Sequence, residues 1–219
     1  MKNTLKLFIV LVIVLVATNV KAQFYDANKR PYIAGQYGQV DGSVYLFDKW
    51  LPGKIVADNG KVYADLQLKY DIYDKRVLFI YKPEDEPQQF ADAIKTFTIN
   101  APQVMNFQNG FPPIDRQNED SFYQVLVKGK ANLLKCYTKK LVASQRVEKI
   151  STVGELQNEN LFYIYKEGKI KRLSRSKGSF LNLMDDKKAE MTDYFLANKP
   201  DLSNDVAVAT LVAYYNELK

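Results

Sequence analysis

The sequence has no histidine and a single cysteine in 219 residues. Without imidazole there can be no Ser-His or Cys-His nucleophile pair. The histidine ligands of ordinary zinc and copper sites are missing too. One thiol, Cys136, can form neither an internal disulfide nor a CxxC redox pair. No G-x-x-x-x-G-K-[ST] or G-x-G-x-x-G run occurs, and Gly35-Gln36-Tyr37-Gly38 is only a short turn-rich segment. No catalytic residue, cofactor site or metal site is therefore assigned from the sequence. Also missing is an apolar run of about 20 residues, the length that spans a bilayer as a helix.

The longest apolar run is shorter and sits near the start. Leu7 to Ala17 carries no charge, follows Lys2 and Lys6, and leads into Val20-Lys21-Ala22. A basic start, an apolar middle and small residues before a cut form the layout of a secretory signal peptide. Cleavage is expected after Ala22, with Gln23 as the new first residue and no transmembrane span remaining. Removing residues 1–22 takes away Lys2, Lys6 and Lys21 and no acid, lowering the formal charge from +6 to +3. So small a charge gives little reason to expect nucleic acid or an anionic membrane as partner.

Residues 24–39 read as a loop. Beyond them the pattern has period 2. Leu66, Leu68, Tyr70 and Ile72 alternate with Gln67, Lys69 and Asp71, which sends one set to a core and the other to water. Asn59-Gly60 marks a hairpin turn, Asp74-Lys75 a second, and residues 76–81 a more continuously apolar strand. Residues 82–89 read as a loop, Thr96 to Ile99 as a strand, and Pro102 to Pro113 as irregular. Strands follow at 121–127 and 131–142, and a hairpin turns at Glu167-Gly168. From Ser176 the spacing becomes helical: Phe180, Leu183 and Met184, then Met191, Tyr194 and Phe195, then Val208, Leu211, Val212 and Tyr215. Ser203 is the expected cap of the last helix, and Asn198-Lys199-Pro200 the break before it.

The expected fold is α+β: a mostly antiparallel β-sheet or partly closed barrel, followed by a C-terminal pair of antiparallel helices. The expected organisation is a signal peptide at 1–22, a β-rich domain at 23–175 and a helical segment at 176–219 packed on it.

Several stretches also carry a resemblance. Gly42 to Trp50, Gly53-Lys54-Ile55, Asn59 to Tyr63 and Leu68 to Tyr73 are among them. So are Gly110 to Asp115, Phe122 to Leu126 and the tail from Asp186 to Asn216. Together they resemble an uncharacterised family of exported, signal-peptide-bearing Bacteroidota proteins. The resemblance implies a Gram-negative periplasmic or outer-membrane-facing location and transfers no catalytic residue.

Four clusters could carry chemistry. Cys136, in Leu133-Leu134-Lys135-Cys136-Tyr137, reads as a small buried hydrophobe. Asp65 and Asp71 would lie about 20 Å apart along one strand, too far for the paired carboxyls of a glycosidase. Asp115, Gln117, Glu119 and Asp120 offer oxygen ligands for calcium but lack the glycine bend of an EF-hand loop. The densest basic run is Lys166, Lys169, Lys171, Arg172, Arg175 and Lys177. It is either a lysine-rich solvent face that blocks edge pairing or a site for an anionic lipid or polysaccharide. Phe47 and Trp50, beside Pro52 and Gly53, are candidate aromatic anchors.

The sequence thus points to a non-enzymatic binding or interaction protein of the cell envelope, periplasmic or secreted. Its partner would be an envelope protein or component and not nucleic acid. The expected contact residues are Phe47, Trp50, Lys169, Lys171, Arg172 and Arg175. A carboxylate-dependent glycan hydrolase and a carrier of a small apolar ligand are the alternatives.

Overall fold

A computed structural model of the chain describes residues 40–145 and 152–219. The signal sequence, its cut after Ala22 and the loop at 24–39 lie outside the described residues. Among the described residues eleven strands come first: β1 (Val40–Asp41), β2 (Leu51–Ala57), β3 (Val62–Asp71), β4 (Arg76–Ile80), β5 (Gln88–Gln89) and β6 (Ile94–Asn100). They continue as β7 (Val104–Gln108), β8 (Tyr123–Val127), β9 (Ala131–Gln145), β10 (Thr152–Lys166) and β11 (Lys169–Leu173). Three helices follow: α1 (Lys177–Leu183), α2 (Lys188–Asn198) and α3 (Asp205–Glu217). The class is α+β, as the pattern predicted.

All strands belong to one sheet, ordered β1-β10-β9-β8-β7-β6-β2-β3-β4-β5, with β11 also on β10. Every pairing is antiparallel except β1 with β10. The sheet curls without closing. Its curvature shows in the rings: Tyr70 of β3 approaches Phe107 of β7 with centroids 5.6 Å apart, although β2 and β6 separate those strands.

That curl encloses the first core. Phe97 stacks on Phe107 at 4.5 Å, and Phe122 closes edge-on against Phe97 and Tyr70. Leu66, Leu68, Tyr70 and Ile72 are all at most 3% exposed, so the core side of the period-2 reading holds, but Asp71, read as facing water, is buried. Burying each core-facing side chain contributes about 1.5–3 kcal/mol.

The second core needs another layer. Leu133, Phe162, Ile164 and Leu173 lie under Phe180, Met191, Phe195, Val208, Leu211 and Tyr215 of the helices. The intervening strand residues face the other way: Leu134, Cys136 and Tyr163 pack with Tyr123 and with Phe111 from the loop after β7. This follows from strand alternation. The β9–β10 hairpin pairs fifteen residues with fifteen, Thr152 with Gln145 through Lys166 with Ala131, without a register shift.

Several local expectations need correction. The helical segment holds three helices rather than two. The first ends at Met184, whose backbone leaves the helical region (φ −119°, ψ 42°), and a 3-10 turn at Asp185–Lys187 follows. Asn204, not Ser203, caps α3, accepting from the amides of Val206 and Ala207. Ser203 instead donates to Asp201 at 2.6 Å. The break between α2 and α3 is as expected: Lys199 turns left-handed (φ 44°) and Pro200 follows. The stretch read as irregular holds β7, and β10 begins nine residues before the strand seen in the sequence.

Candidate functional site

A polar concavity lies where the two halves of the sheet meet. It is a groove of about 500 Å³. Its walls come from three places: the β3–β4 turn (Ile72, Tyr73, Lys75), the tight turn at 115–117, and the β9–β10–β11 face that carries Thr138, Lys139, Lys140, Glu159, Leu161 and Arg172.

Local chemistry shapes each wall. Asp71, fully buried, ends β3 by accepting from the amides of Tyr73 and Asp74 at 3.1 and 2.9 Å. This is an Asx turn, the usual way a carboxylate shapes a tight bend. Lys75 then takes a left-handed backbone (φ 59°). Its ammonium reaches across to the Arg116 carbonyl at 3.2 Å and the Ser121 hydroxyl at 3.1 Å. On the second wall Ile114 and Gln117 exchange backbone hydrogen bonds at 3.1 and 2.8 Å. That closes a turn with Asp115 (φ 52°) and Arg116 at its tip. Asp115 accepts from the Tyr163 hydroxyl at 2.9 Å and lies 3.8 Å from the Arg172 guanidinium.

Charge is unbalanced here. Lys75, Arg116, Lys139, Lys140 and Arg172 line the groove against Asp115 and Glu159 alone. Arg116 and Lys140 are exposed and have no ion-pair partner among the described residues. Burial holds the Lys139 ammonium below its ordinary range, partly opposed by Asp48. One further feature is unusual. Gln117 is 6% exposed, and its Oε1 is buried with no hydrogen-bond partner among the described residues.

Beneath the groove lies Cys136, opposite Leu161 in the β9–β10 register. Burial pushes its thiol up to about 12, against a small opposing pull from Lys75. A thiol so placed is a packing residue, as the sequence suggested. Tyr123 and Tyr163 meet edge-on beside it, with centroids 5.6 Å apart. Burial raises both phenols well above their usual range. Among the described residues no group of three or more acidic or thiol side chains could hold a metal ion.

The residues singled out in the sequence are scattered by the fold. Arg172 enters the groove. Lys169 and Lys171, on the opposite face of β11, share the parity of Leu173 and are exposed. Arg175 is engaged within the chain: its Nε donates to the Leu202 carbonyl at 2.5 Å, and its Nη2 pairs with Asp205 at 2.8 Å. It also covers the Phe162 ring at 4.7 Å. Phe47 packs against the first core, and Trp50 is half-buried with the Lys69 ammonium 5.3 Å from its ring centre. The contact set thus does not form one surface. Sequence reasoning missed Tyr73, Lys75, Arg116, Lys139, Lys140 and Glu159. Gln117 was noticed only as a calcium ligand. No local spacing links these positions, because β3, the loop and β9 meet only through the curl.

Comparison with family models, with curated proteins and with solved structures gave no match. Among the described residues no helix is long and apolar enough to cross a membrane.

Proposed function

We propose that this is an exported, non-enzymatic binding protein of the cell envelope, periplasmic or secreted, and that the groove at the seam of the sheet is its recognition site. The observation that carries the reading is the cation-rich groove, in which Arg116 and Lys140 have no ion-pair partner among the described residues. A site of this volume takes a small molecule or one or two units of a polymer. Its walls come from elements far apart in sequence and held by packed cores, which is how a rigid scaffold presents a recognition surface. The Leu7 to Ala17 leader and the absence of histidine support export and binding over catalysis.

The same groove holds Asp115 and Glu159, and two carboxyls are what a glycan hydrolase needs. Asp115, however, is already engaged by Tyr163 and Arg172. A carrier of apolar ligands would need an apolar cavity of several hundred Å³. The curl of the sheet is instead packed with the rings of Tyr70, Phe97, Phe107 and Phe122.

The test is fractionation and co-sedimentation. The protein is expected in the envelope fraction with Gln23 as its first residue, and to sediment with isolated envelope material. A Lys140→Glu/Arg172→Glu variant should lose that association at least tenfold while melting at the same temperature within a few degrees. Equal sedimentation of the variant would remove the groove from the reading. Glycan turnover abolished by Glu159→Gln would replace it with the hydrolase.

A further inference from the structure

The sequence holds two Asn-Gly steps, Asn59-Gly60 and Asn109-Gly110. Such a step carries a latent reaction. The backbone nitrogen after an asparagine can attack its side-chain amide carbon, and a glycine, having no Cβ, leaves that nitrogen unhindered. The fold decides whether the two groups are free to meet, and it treats the two steps differently. Asn109, half-buried just after β7, is held at its side chain and through its neighbour. Its Nδ2 donates to the Ile94 carbonyl at 2.7 Å, and the Gly110 amide donates to the Glu119 carbonyl at 2.7 Å. A Cβ on Gly110 would stand 3.0 Å from the Lys95 ammonium, so the space beside it is taken. Asn59 and Gly60 are both exposed at the tip of the β2–β3 hairpin. The Asn59 Nδ2 faces the Asp92 carboxylate at 3.5 Å, too long to hold it firmly. Its Oδ1 accepts from the Lys61 amide at 2.9 Å, which places a donor on the oxygen that gains charge when the amide carbon is attacked. A Cβ on Gly60 would meet nothing within 4 Å, which leaves room for a ring to close. The Gly60 amide does donate to the Ala57 carbonyl at 2.9 Å, but this bond lies in an exposed turn, where local opening costs little.

We propose that Asn59 is a self-modification site, which deamidates through a succinimide while the fold preserves Asn109. The Gly60 nitrogen bonds to the Asn59 Cγ and loses its proton. The Cγ–Nδ2 bond breaks, and the amide nitrogen leaves with that proton as ammonia. Water then adds to one of the two ring carbonyls. Opening at the former side-chain carbonyl restores an ordinary backbone and leaves aspartate. Opening at the Asn59 main-chain carbonyl routes the backbone through the side chain as isoaspartate. No electrons are transferred, and water is the only co-reactant. The aspartate product sets a carboxylate where Nδ2 now faces Asp92, so an attractive contact becomes a repulsive one. The isoaspartate product adds one backbone atom to a turn in which the Ala57 amide donates to the Lys61 carbonyl at 2.9 Å. Both products loosen the same hairpin end, and neither depends on what the groove binds.

The experiment follows both steps by peptide mass spectrometry while the purified protein stands in mildly alkaline buffer. A sample unfolded in guanidinium chloride at the same pH is the reference. Deamidation is read as a gain of one mass unit, and isoaspartate by enzymatic methyl transfer to the peptide. In the unfolded chain both steps should convert at similar rates, since each is the same Asn-Gly chemistry. In the folded protein Asn59 should convert at least about tenfold faster than Asn109, a barrier difference of about 1.4 kcal/mol, with isoaspartate among its products. Equal rates at the two steps in the folded protein, or Asn109 converting first, would overturn the inference. So would an Asn59 that stays intact while the unfolded reference converts.

Discussion

The two halves of the sheet solve the same problem differently. The strands from β2 to β7 bend until their own aromatic rings meet, so the sheet is its own second layer. The strands from β8 to β11 stay open and are covered by helices on one side and a loop on the other. Consequently the first half relies on ring packing, while the second adds polar clamps that fix its helices in place. Asp205 at the start of α3 pairs with Lys135 at 2.7 Å and Arg175 at 2.8 Å. Asn216 near its end accepts from the Ala131 amide at 2.8 Å and donates to the Ala131 carbonyl at 2.9 Å. Asp186 accepts from Lys166 at 2.5 Å and from Tyr215 at 2.9 Å. A layer that must dock needs its position specified, and directional bonds do that where apolar contact alone would allow sliding.

Among the described residues the ladder between the halves holds two residue pairs, Phe107 with Gln124 and Gln108 with Tyr123, beside the Lys75 bonds and the packing of Tyr137 on the first core. The sharpest way to probe the contrast is Phe97→Ala, which empties the centre of the ring cluster and should cost about 3–5 kcal/mol. Trp50 lies in the first half and the helices of the described residues in the second, so two signals separate them. Trp50 fluorescence should be lost at lower urea than the helical circular dichroism. Coincident curves would make the halves one cooperative unit.

A smaller effect is expected in the second half. Asp205→Asn leaves Lys135, whose side chain is 11% exposed, and Arg175 without their shared counter-charge. It should cost roughly 1–3 kcal/mol, read from the urea midpoint of the helical signal. The added change Lys135→Met should recover part of that loss, and no recovery would show that the clamp contributes nothing beyond packing.

The smallest effect is the one that depends on pH. Burial disfavours the Asp186 charge, but hydrogen bonds from Lys166 and Tyr215 outweigh it and hold the carboxyl below the usual carboxylate range. A depressed value stabilises the fold above the unfolded pKa, about 4, and the benefit fades as the pH falls through the folded value. Asp186→Asn should therefore cost less than about 1 kcal/mol at neutral pH, since this half-exposed group is screened by solvent. The gap in melting temperature between parent and variant should shrink from pH 5 towards pH 2. A constant gap would mean that the carboxylate's charge plays no part in holding α2 and α3.

The sequence made the periodic parts readable and the long-range assembly unreadable. Alternation exposed β3, and the i, i+3, i+4 spacing exposed the helical tail, because each repeats within a few residues. In β7, Met105 and Phe107 alternate with Asn106 and Gln108 just as clearly, but the surrounding prolines drew the reading towards a loop. In the first half of β10, four consecutive exposed polar residues, Gln157, Asn158, Glu159 and Asn160, break the alternation that would give the strand away. Of the groove, Arg172 stood out as part of a basic run, and Asp115 and Gln117 as loop oxygen ligands. Lys75, Gln117 and Lys140 become neighbours only once the sheet has curled, and no pattern within a window reports on curvature. Arg175 shows the converse: the same charge density that marked it as a contact residue binds it to α3.

The uninterrupted fifteen-pair β9–β10 hairpin sets a rule for how this chain can vary in length. One residue added inside either strand, anywhere from Ala131 to Cys136 or from Leu161 to Lys166, would offset the two strands and exchange their faces. An insertion in β9 would turn Leu133 away from the helices, and one in β10 would turn Ile164 away and Tyr163 towards them. The Asp115 bond would go with it. Added residues near the far end of the hairpin would leave this alternation intact, so length changes in related chains should collect there and avoid the end beneath the helices.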